Sequence, residues 1–225
     1  MLKGYHSKSA VTKAYVQMHL SIILWGATAV LGKSINMSEG LLVWYRMIIT
    51  TLSLFTFIML TGKSFRVSKK NFIALFGIGV LLMVHWLFFY GAIKYSNVSI
   101  TLSLFSSTTL FTALIEPMIT NKKFNKAELL YSAMAIAGIC IIFYSDTNSY
   151  SVGIVLAILA AFVGAFFNIL NKKVVNEVSS DVVSFYELLS GLVALTVFLP
   201  FYIRLLRKIV KRGHVHIVMS KSRME

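Results

Sequence analysis

Seven long apolar segments follow one another along this sequence of 225 residues, separated by short polar loops. Each segment is close to the ~20 residues that a helix needs to cross the ~30 Å of hydrocarbon in a bilayer. Only 13% of the residues are charged, well below the roughly 25% of soluble domains, so lipid must solvate most of the chain. We therefore predict an all-α polytopic membrane protein with helices at about 16–35, 41–61, 72–93, 98–119, 128–145, 152–171 and 183–203.

The basic residues are divided unevenly between the two sides of the predicted bundle. Twelve lie in the N-terminal stretch and in the loops after the second, fourth and sixth segments, whereas the other side carries Lys33 and Lys94 before residue 204. Cytoplasmic loops are rich in Lys and Arg, so we predict a cytoplasmic N-terminus. The first segment continues past the small residues at 27–29, so we expect a retained helix and not a cleaved signal peptide.

The net charge of +14 lies mainly in those loops and in the last 22 residues, RLLRKIVKRGHVHIVMSKSRME (204–225). This location argues against a nucleic-acid partner. Seven crossings would place the basic tail outside the cytoplasm, which contradicts the topology of the preceding chain. An amphipathic surface helix is one interpretation, since Leu205, Leu206, Ile209 and Val210 fall at helical spacing. We favour the other, that the tail is not native to the fold and results from a truncation or a shifted reading frame.

An internal repeat is suggested by residues 26–46 and 165–187. Both contain an apolar helix with a cationic end, a short polar loop, and a second helix that opens with aromatic residues and a charge. The offset of about 140 residues is five helices, an odd number, so the second copy enters the membrane inverted. Inverted-repeat transporters enclose their substrate site near the midplane between the two copies.

Several stretches carry a family resemblance: ILWGATAVLGKSI in the first segment, WYRMIIT opening the second, HWLFFYGAIKYSNV in the third, LFTALIEP ending the fourth and AGICIIFYSD closing the fifth. Together they resemble an EamA domain of the drug/metabolite transporter superfamily, over roughly residues 17–201. The resemblance implies ten helices in two inverted five-helix copies, with both termini cytoplasmic. It also implies movement of small molecules without ATP hydrolysis.

Compared with this ten-helix pattern, the chain divides into four parts: a cytoplasmic N-terminus (1–15), a complete first repeat (16–145), an incomplete second repeat (152–203) and the basic tail (204–225). We predict a secondary transporter, a permease or exporter, that moves small organic metabolites, amino acids or drugs across the bacterial cytoplasmic (inner) membrane by alternating access. The alternative hypothesis is a truncated, transport-inactive membrane fragment with at most an interaction role, because three helices of the second copy are missing.

Polar and aromatic side chains within these helices should face a cavity or another helix. His85 could bind substrate or relay a proton, and a neutral core histidine bonded to a neighbouring helix fits equally well. Serine and threonine hydroxyls could instead bond back to their own helix, and the aromatic rings could pack in the interior. The predicted lining of the substrate cavity comprises Trp25, Thr28, His85, Trp86, Tyr90, Ser103, Ser106 and Ser107.

Other residues within the segments have simpler interpretations. Arg46 and Glu187 each lie about five residues from a helix end, so we expect them to snorkel to the interface more often than to contact substrate. Nearby lysines should neutralise Glu116, and Pro117 should end the fourth helix. Small residues at four-residue spacing form a groove for helix packing, within the chain or across a homodimer: Gly153, Ala157, Ala161 and Ala165.

Motifs of enzymes and cofactor sites are absent from the sequence. It contains no Walker A motif, no H-E-x-x-H and no G-x-S-x-G, so we expect no enzymatic activity, no cofactor and no metal. A seven-helix receptor or retinal protein has the same helix count. The predicted cytoplasmic N-terminus and the lack of a lysine in the seventh segment oppose it. The expected partners are a small-molecule substrate and the lipid bilayer.

Overall fold

The computed structural model describes residues 8–143 and 150–211, with side chains for 11–139, 141 and 150–201. Within these residues the chain forms helices joined by short turns, and it contains no strand. The helices are α1 (Lys8–Ser34), α2 (Glu39–Leu60), α3 (Lys69–Tyr95), α4 (Val98–Phe105), α5 (Thr108–Thr120), α6 (Lys126–Phe143), α7 (Ser151–Val174) and α8 (Ser180–Lys211).

Six stretches of the described chain are long and apolar enough to cross a membrane. They are Val11–Ser34, Glu39–Leu60, Lys69–Tyr95, Val98–Thr120, Ser151–Val174 and Ser180–Phe201. The predicted all-α polytopic membrane fold is therefore confirmed. α6 is not among the six; it has 18 residues and ends at Phe143, where the described part of the chain is interrupted.

The fourth predicted helix is broken into α4 and α5. Each of the four consecutive hydroxyls at positions 106–109 donates a hydrogen bond of 2.6–2.9 Å to the carbonyl three residues earlier. Such bonds compete with the regular helical ladder, and here they coincide with a tight turn at Ser106 and Ser107. The two short helices still form one candidate membrane span.

The C-terminal ends of α1 and α3 lie side by side. The Lys33 ammonium at the end of α1 donates to the main-chain carbonyls of Ile93 and Ser96, each at 3.0 Å. Lys94 of α3 donates in return to the carbonyl of Ile35. The last carbonyls of a helix lack partners and carry partial negative charge, so each helix supplies the cation that caps the other. Both lysines of the less basic side are thus structural.

Polar bonds also join helix ends at the opposite end of the bundle. Lys63, after α2, forms an ion pair with Asp181 at the start of α8. The Asn71 side-chain amide at the start of α3 donates to the carboxylate of Glu177, which follows α7, at 3.1 Å. These contacts bring the end of α2 and the start of α3 to the turn between α7 and α8. α2 and α3 therefore run in opposite directions, and so do α7 and α8.

A cluster of charges lies at this same end, around the last turn of α5. The carboxylate of Glu116 accepts hydrogen bonds from Lys122 at 2.8 Å and Lys172 at 3.0 Å. The bond to Glu116 raises the pKa of Lys122. The expectation that Pro117 ends the helix is wrong, because α5 continues to Thr120. It ends where Asn121 adopts the left-handed conformation, with a φ of 54°, that is common directly after helices.

α3 occupies the centre of the bundle and packs most extensively on α7 and α8. The main buried cluster includes Met47 of α2, Met83 and Ile93 of α3, and Leu195 of α8. α7 packs closely on its neighbours because its small residues Gly153, Ala157, Ala161 and Ala165 are all buried. A Cβ atom added at Gly153 would lie 2.5 Å from the Cβ of Ser96, so the two backbones almost touch there.

α8 extends beyond the predicted end of the seventh helix. It continues through Pro200 to Lys211, so the first residues of the basic tail prolong the membrane-spanning helix. Residues 212–225, the remainder of that tail, lie outside the described residues.

Candidate functional site

Arg46 lies inside the bundle against two aromatic rings of α3. Trp86 and Tyr90 are one helical turn apart and present their rings on the same face of α3. The guanidinium carbon of Arg46 is 4.2 Å from the centroid of the Trp86 ring and 5.5 Å from that of Tyr90. The guanidinium also donates a hydrogen bond to the Tyr90 hydroxyl. We call these three residues the Arg46 cluster.

The Arg46 cluster holds a cation within a membrane-spanning segment. Arg46 is the eighth residue of α2, about 10 Å along the axis from Glu39. No carboxylate of the described residues forms an ion pair with it. The rings stabilise the positive charge in part, through cation–π attraction. A guanidinium has five N–H donors, so Arg46 can bind an anionic group while the Tyr90 bond persists.

His85 lies next to this cluster and connects α3 to α7. Its Nδ1 atom donates a hydrogen bond of 2.8 Å to the carbonyl of Ala160. The ring lies over Gly164, where an added Cβ would be 3.1 Å from Nδ1. Its centroid is 5.3 Å from that of Phe105, the last residue of α4. His85 therefore makes the contacts of a core histidine bonded to a neighbouring helix, and it packs directly beside the break between α4 and α5.

The remaining residues of the predicted lining make local bonds or are at least partly exposed, and no described contact joins them to His85 or the Arg46 cluster. Trp25 is 67% exposed. The hydroxyl of Thr28 donates to the carbonyl of Trp25 at 2.8 Å, and those of Ser106 and Ser107 bond back to α4, as the alternative interpretation expected. Ser103 is half-buried on α4. A common cavity lined by all eight residues stays a prediction.

A cavity of about 550 Å³, with a mostly apolar surface, lies elsewhere, between α5, α6 and α7. It is bordered by none of the eight predicted lining residues. The groove is open, since Tyr131 on its wall is 69% exposed. Its lining is formed by Thr108, Thr109, Thr112, Ala113, Glu128, Tyr131, Ser132, Ala135 and Asn168.

Comparison with known proteins decides the family. The EamA-like transporter family matches residues 12–144, more than half of the chain. The chain belongs to this family. It is also 23% identical over 202 residues to a protein of Bacillus subtilis (strain 168) named "Uncharacterized transporter YxxF". That alignment covers 87% of this chain but only 65% of the relative, so the chain spans just under two thirds of the relative's length. No solved structure matches the chain.

Two charged residues within the spans of this EamA-like chain have surroundings that the sequence did not predict. The expectation that Glu187 snorkels to the interface is wrong, because its side chain is only 2% exposed. Arg46 is partly exposed and lies over Trp86, a contact that the sequence did not predict, and its snorkelling stays a prediction. The available signal was a charge inside an apolar segment, which marks a functional residue by default. Distance from the helix end was a poor guide, because the helices packed around a residue decide whether its side chain can reach water.

Proposed function

We propose that this chain is a secondary transporter that moves small organic metabolites, amino acids among them, across the bacterial cytoplasmic membrane by alternating access. Membership of the EamA-like transporter family carries the proposal. The arrangement of membrane-spanning helices around α3 supports it. The proposal includes no enzymatic step and no cofactor, and the substrate is a small molecule that enters from water or from the bilayer.

The Arg46 cluster is the part of the bundle best suited to hold such a substrate. The guanidinium supplies donors to a carboxylate or another anionic group, and the rings of Trp86 and Tyr90 offer a flat apolar surface beside it. The three side chains are held by contacts between α2 and α3 and not by loops, so their geometry is defined before substrate arrives. We therefore propose a substrate that carries an anionic group next to an apolar part.

The break between α4 and α5 provides an element that can move beside this site. Discontinuous helices are common next to the binding sites of secondary transporters. Here Phe105, at the break, contacts both His85 and Phe89 of α3. A shift of α4 against α5 would change the packing on this face of α3 and alter access to the Arg46 cluster.

The orientation follows from the two ends of the bundle. The end with Lys63, Lys122 and Lys172 is the more basic, so we propose that it faces the cytoplasm together with the N-terminus. The end where α1 and α3 cap each other then faces outward. Arg46 lies about 10 Å from that outer end, within reach of either side as the helices rearrange.

The test is uptake by the purified full chain in liposomes. A panel of radiolabelled amino acids and amphipathic drugs should include at least one compound whose uptake is saturable and exceeds that of empty liposomes. Arg46→Gln should abolish this uptake, whereas Arg66→Gln, which changes an exposed arginine outside the spans, should leave it intact. If neither the wild type nor the Arg66→Gln control takes up any compound of the panel, the result contradicts the proposal and favours a transport-inactive fragment.

A further inference from the structure

A buried carboxyl group on α8 takes no part in the Arg46 cluster. Glu187 is 2% exposed, and its Oε1 atom has no hydrogen-bond partner among the described residues. It is the eighth residue of α8, about 10 Å from the helix start, inside the span Ser180–Phe201. An ionised carboxylate without a cation is strongly disfavoured in such a place, so the carboxyl is protonated in this arrangement of the helices.

Among the residues whose side chains the structure describes, the charged and titratable groups of the surrounding elements lie elsewhere or have other partners. α8 packs on α3 and α2. Glu187 belongs to none of the ion pairs among the described residues. At the basic end, Lys63 pairs with Asp181, the Tyr186 hydroxyl donates to the carbonyl of Phe65, and Lys69 and Lys70 are exposed. Deeper in the bundle, Arg46 contacts Trp86 and Tyr90, and His85 donates to the carbonyl of Ala160. The remaining such groups lie towards the other end of the bundle: Glu39, Tyr45, Lys94 and Tyr95.

Glu187 lies where α3 and α8 approach most closely. A Cβ atom added at Gly79 would collide with the carbonyl oxygen of Glu187. One added at Gly191, one turn further along α8, would lie 2.7 Å from the carbonyl oxygen of Gly79. α3 belongs to the first predicted repeat and α8 to the second. Alternating access moves one repeat against the other, so this crossing is a place where the packing must change.

We propose that transport by this chain is coupled to protons and that the Glu187 carboxyl takes up and releases the coupled proton. This inference rests on the proposed transport function. In the arrangement seen, the proton is covalently bound to the buried carboxyl. When α8 shifts against α3, water reaches the group, the O–H bond breaks, the proton passes to water, and a solvated carboxylate remains. The reverse step follows on the other side of the membrane.

The surroundings of Glu187 favour a proton over a metal cation. A hard cation needs several oxygen ligands, whereas a proton needs only one oxygen atom. The nearby Ser190 hydroxyl donates to the carbonyl of Tyr186 instead. Across the part of the chain that the structure describes, no three acidic, histidine or cysteine side chains are grouped as metal ligands. A purely structural role is also disfavoured, because an apolar side chain of similar size would fill this space without desolvating a carboxyl group.

Infrared difference spectroscopy tests the protonation step without a substrate. The full chain in liposomes is compared between an acidic and an alkaline buffer, with protons as the only probe. The wild type should show a band of a protonated carboxyl in a dry environment, and Glu187→Gln should lack it. Glu116→Gln is the matched control, because Glu116 is paired with two lysines and should leave that band unchanged. A wild type without such a band, or a band that Glu187→Gln retains, would overturn the proposal.

A pH gradient across the same liposomes tests the coupling. The probes are the radiolabelled amino acids of the uptake panel. If one proton moves with each substrate, a gradient of about one pH unit should drive about a tenfold accumulation. Glu187→Gln should lose this accumulation yet still exchange labelled for unlabelled amino acid in the absence of a gradient.

The two proposals fail in different ways. Proton coupling is overturned if the wild type exchanges amino acid but does not respond to the pH gradient, or if Glu187→Gln accumulates as much as the wild type. Either result leaves the transport proposal intact. A wild type that neither accumulates nor exchanges any member of the panel overturns transport, and proton-coupled transport with it. The wild-type responses decide the matter even if Glu187→Gln does not assemble in the membrane.

Discussion

The guanidinium of Arg46 lies over the indole ring of Trp86, with 4.2 Å between the guanidinium carbon and the ring centroid. The contact joins α2 to α3 inside the membrane-spanning part of the bundle. It holds a cation that has no carboxylate partner among the described residues. An arginine in this setting is ready to bind an anion, and the proposed substrate site is built around it.

Arg46 and Trp86 should be energetically coupled. We expect Arg46→Gln, Trp86→Leu and the double variant to give a coupling free energy of about 1–2 kcal/mol, the range of a desolvated cation–π contact. Thermal unfolding in detergent measures the cycle. Effects that add to within about 0.5 kcal/mol would mean that the two side chains act independently.

The crossing of α3 and α8 should not tolerate a methyl group. Gly79→Ala places a Cβ against the main chain of α8, and we expect it to lower the free energy of unfolding by about 1–3 kcal/mol. Gly77→Ala is the matched control two residues away, where nothing lies within 4 Å of the added Cβ. It should be neutral or slightly stabilising, because alanine favours a helix. Equal stability of the two variants would contradict the close crossing.

The lysine caps at the outer end should contribute to stability. Lys33→Met removes two charge-assisted bonds to the carbonyls of Ile93 and Ser96, and a loss of about 1–3 kcal/mol is expected. Lys13→Met, at an exposed position near the start of the same helix, should change the free energy of unfolding far less. If both variants unfold at the same temperature, the stabilising role of the Lys33 cap is contradicted.

The ion pair between Lys122 and Glu116 gives a prediction about alkaline pH. Glu116 raises the pKa of Lys122 in the folded chain. The resulting stabilisation is therefore complete below the ordinary lysine pKa of about 10.4 and is lost as the pH rises through the folded-state value. Lys122→Met should lower the melting temperature slightly at neutral pH but not in strongly alkaline buffer. Lys123→Met, at an exposed neighbouring position, should show no such pH dependence.

Much of the fold could be predicted because membrane helices are defined by local composition. All seven apolar segments form helices in the described residues, and the distribution of Lys and Arg matches the two ends of the bundle. The break at Ser106 and Ser107 had a visible signal, four consecutive hydroxyl residues. It was missed because the segment as a whole is long and apolar enough to be one helix.

The site was harder to predict because it depends on which helix faces approach one another. Trp86 and Tyr90 were identified from their spacing on one helix face. Arg46 was not connected to them, since the pairing of α2 with α3 is a tertiary contact. Glu187 was placed near the membrane surface by counting residues, yet the close approach of α3 at Gly79 buries it.

The most direct test of the account is counterflow in liposomes that hold the purified full chain. The liposomes are loaded with one unlabelled amino acid that shows saturable uptake, and a trace of the labelled form is added outside. Alternating access around the Arg46 cluster predicts that the label accumulates transiently inside above its equilibrium level, and that Arg46→Gln abolishes this overshoot. A label that only rises to equilibrium, or an overshoot that Arg46→Gln preserves, would contradict it.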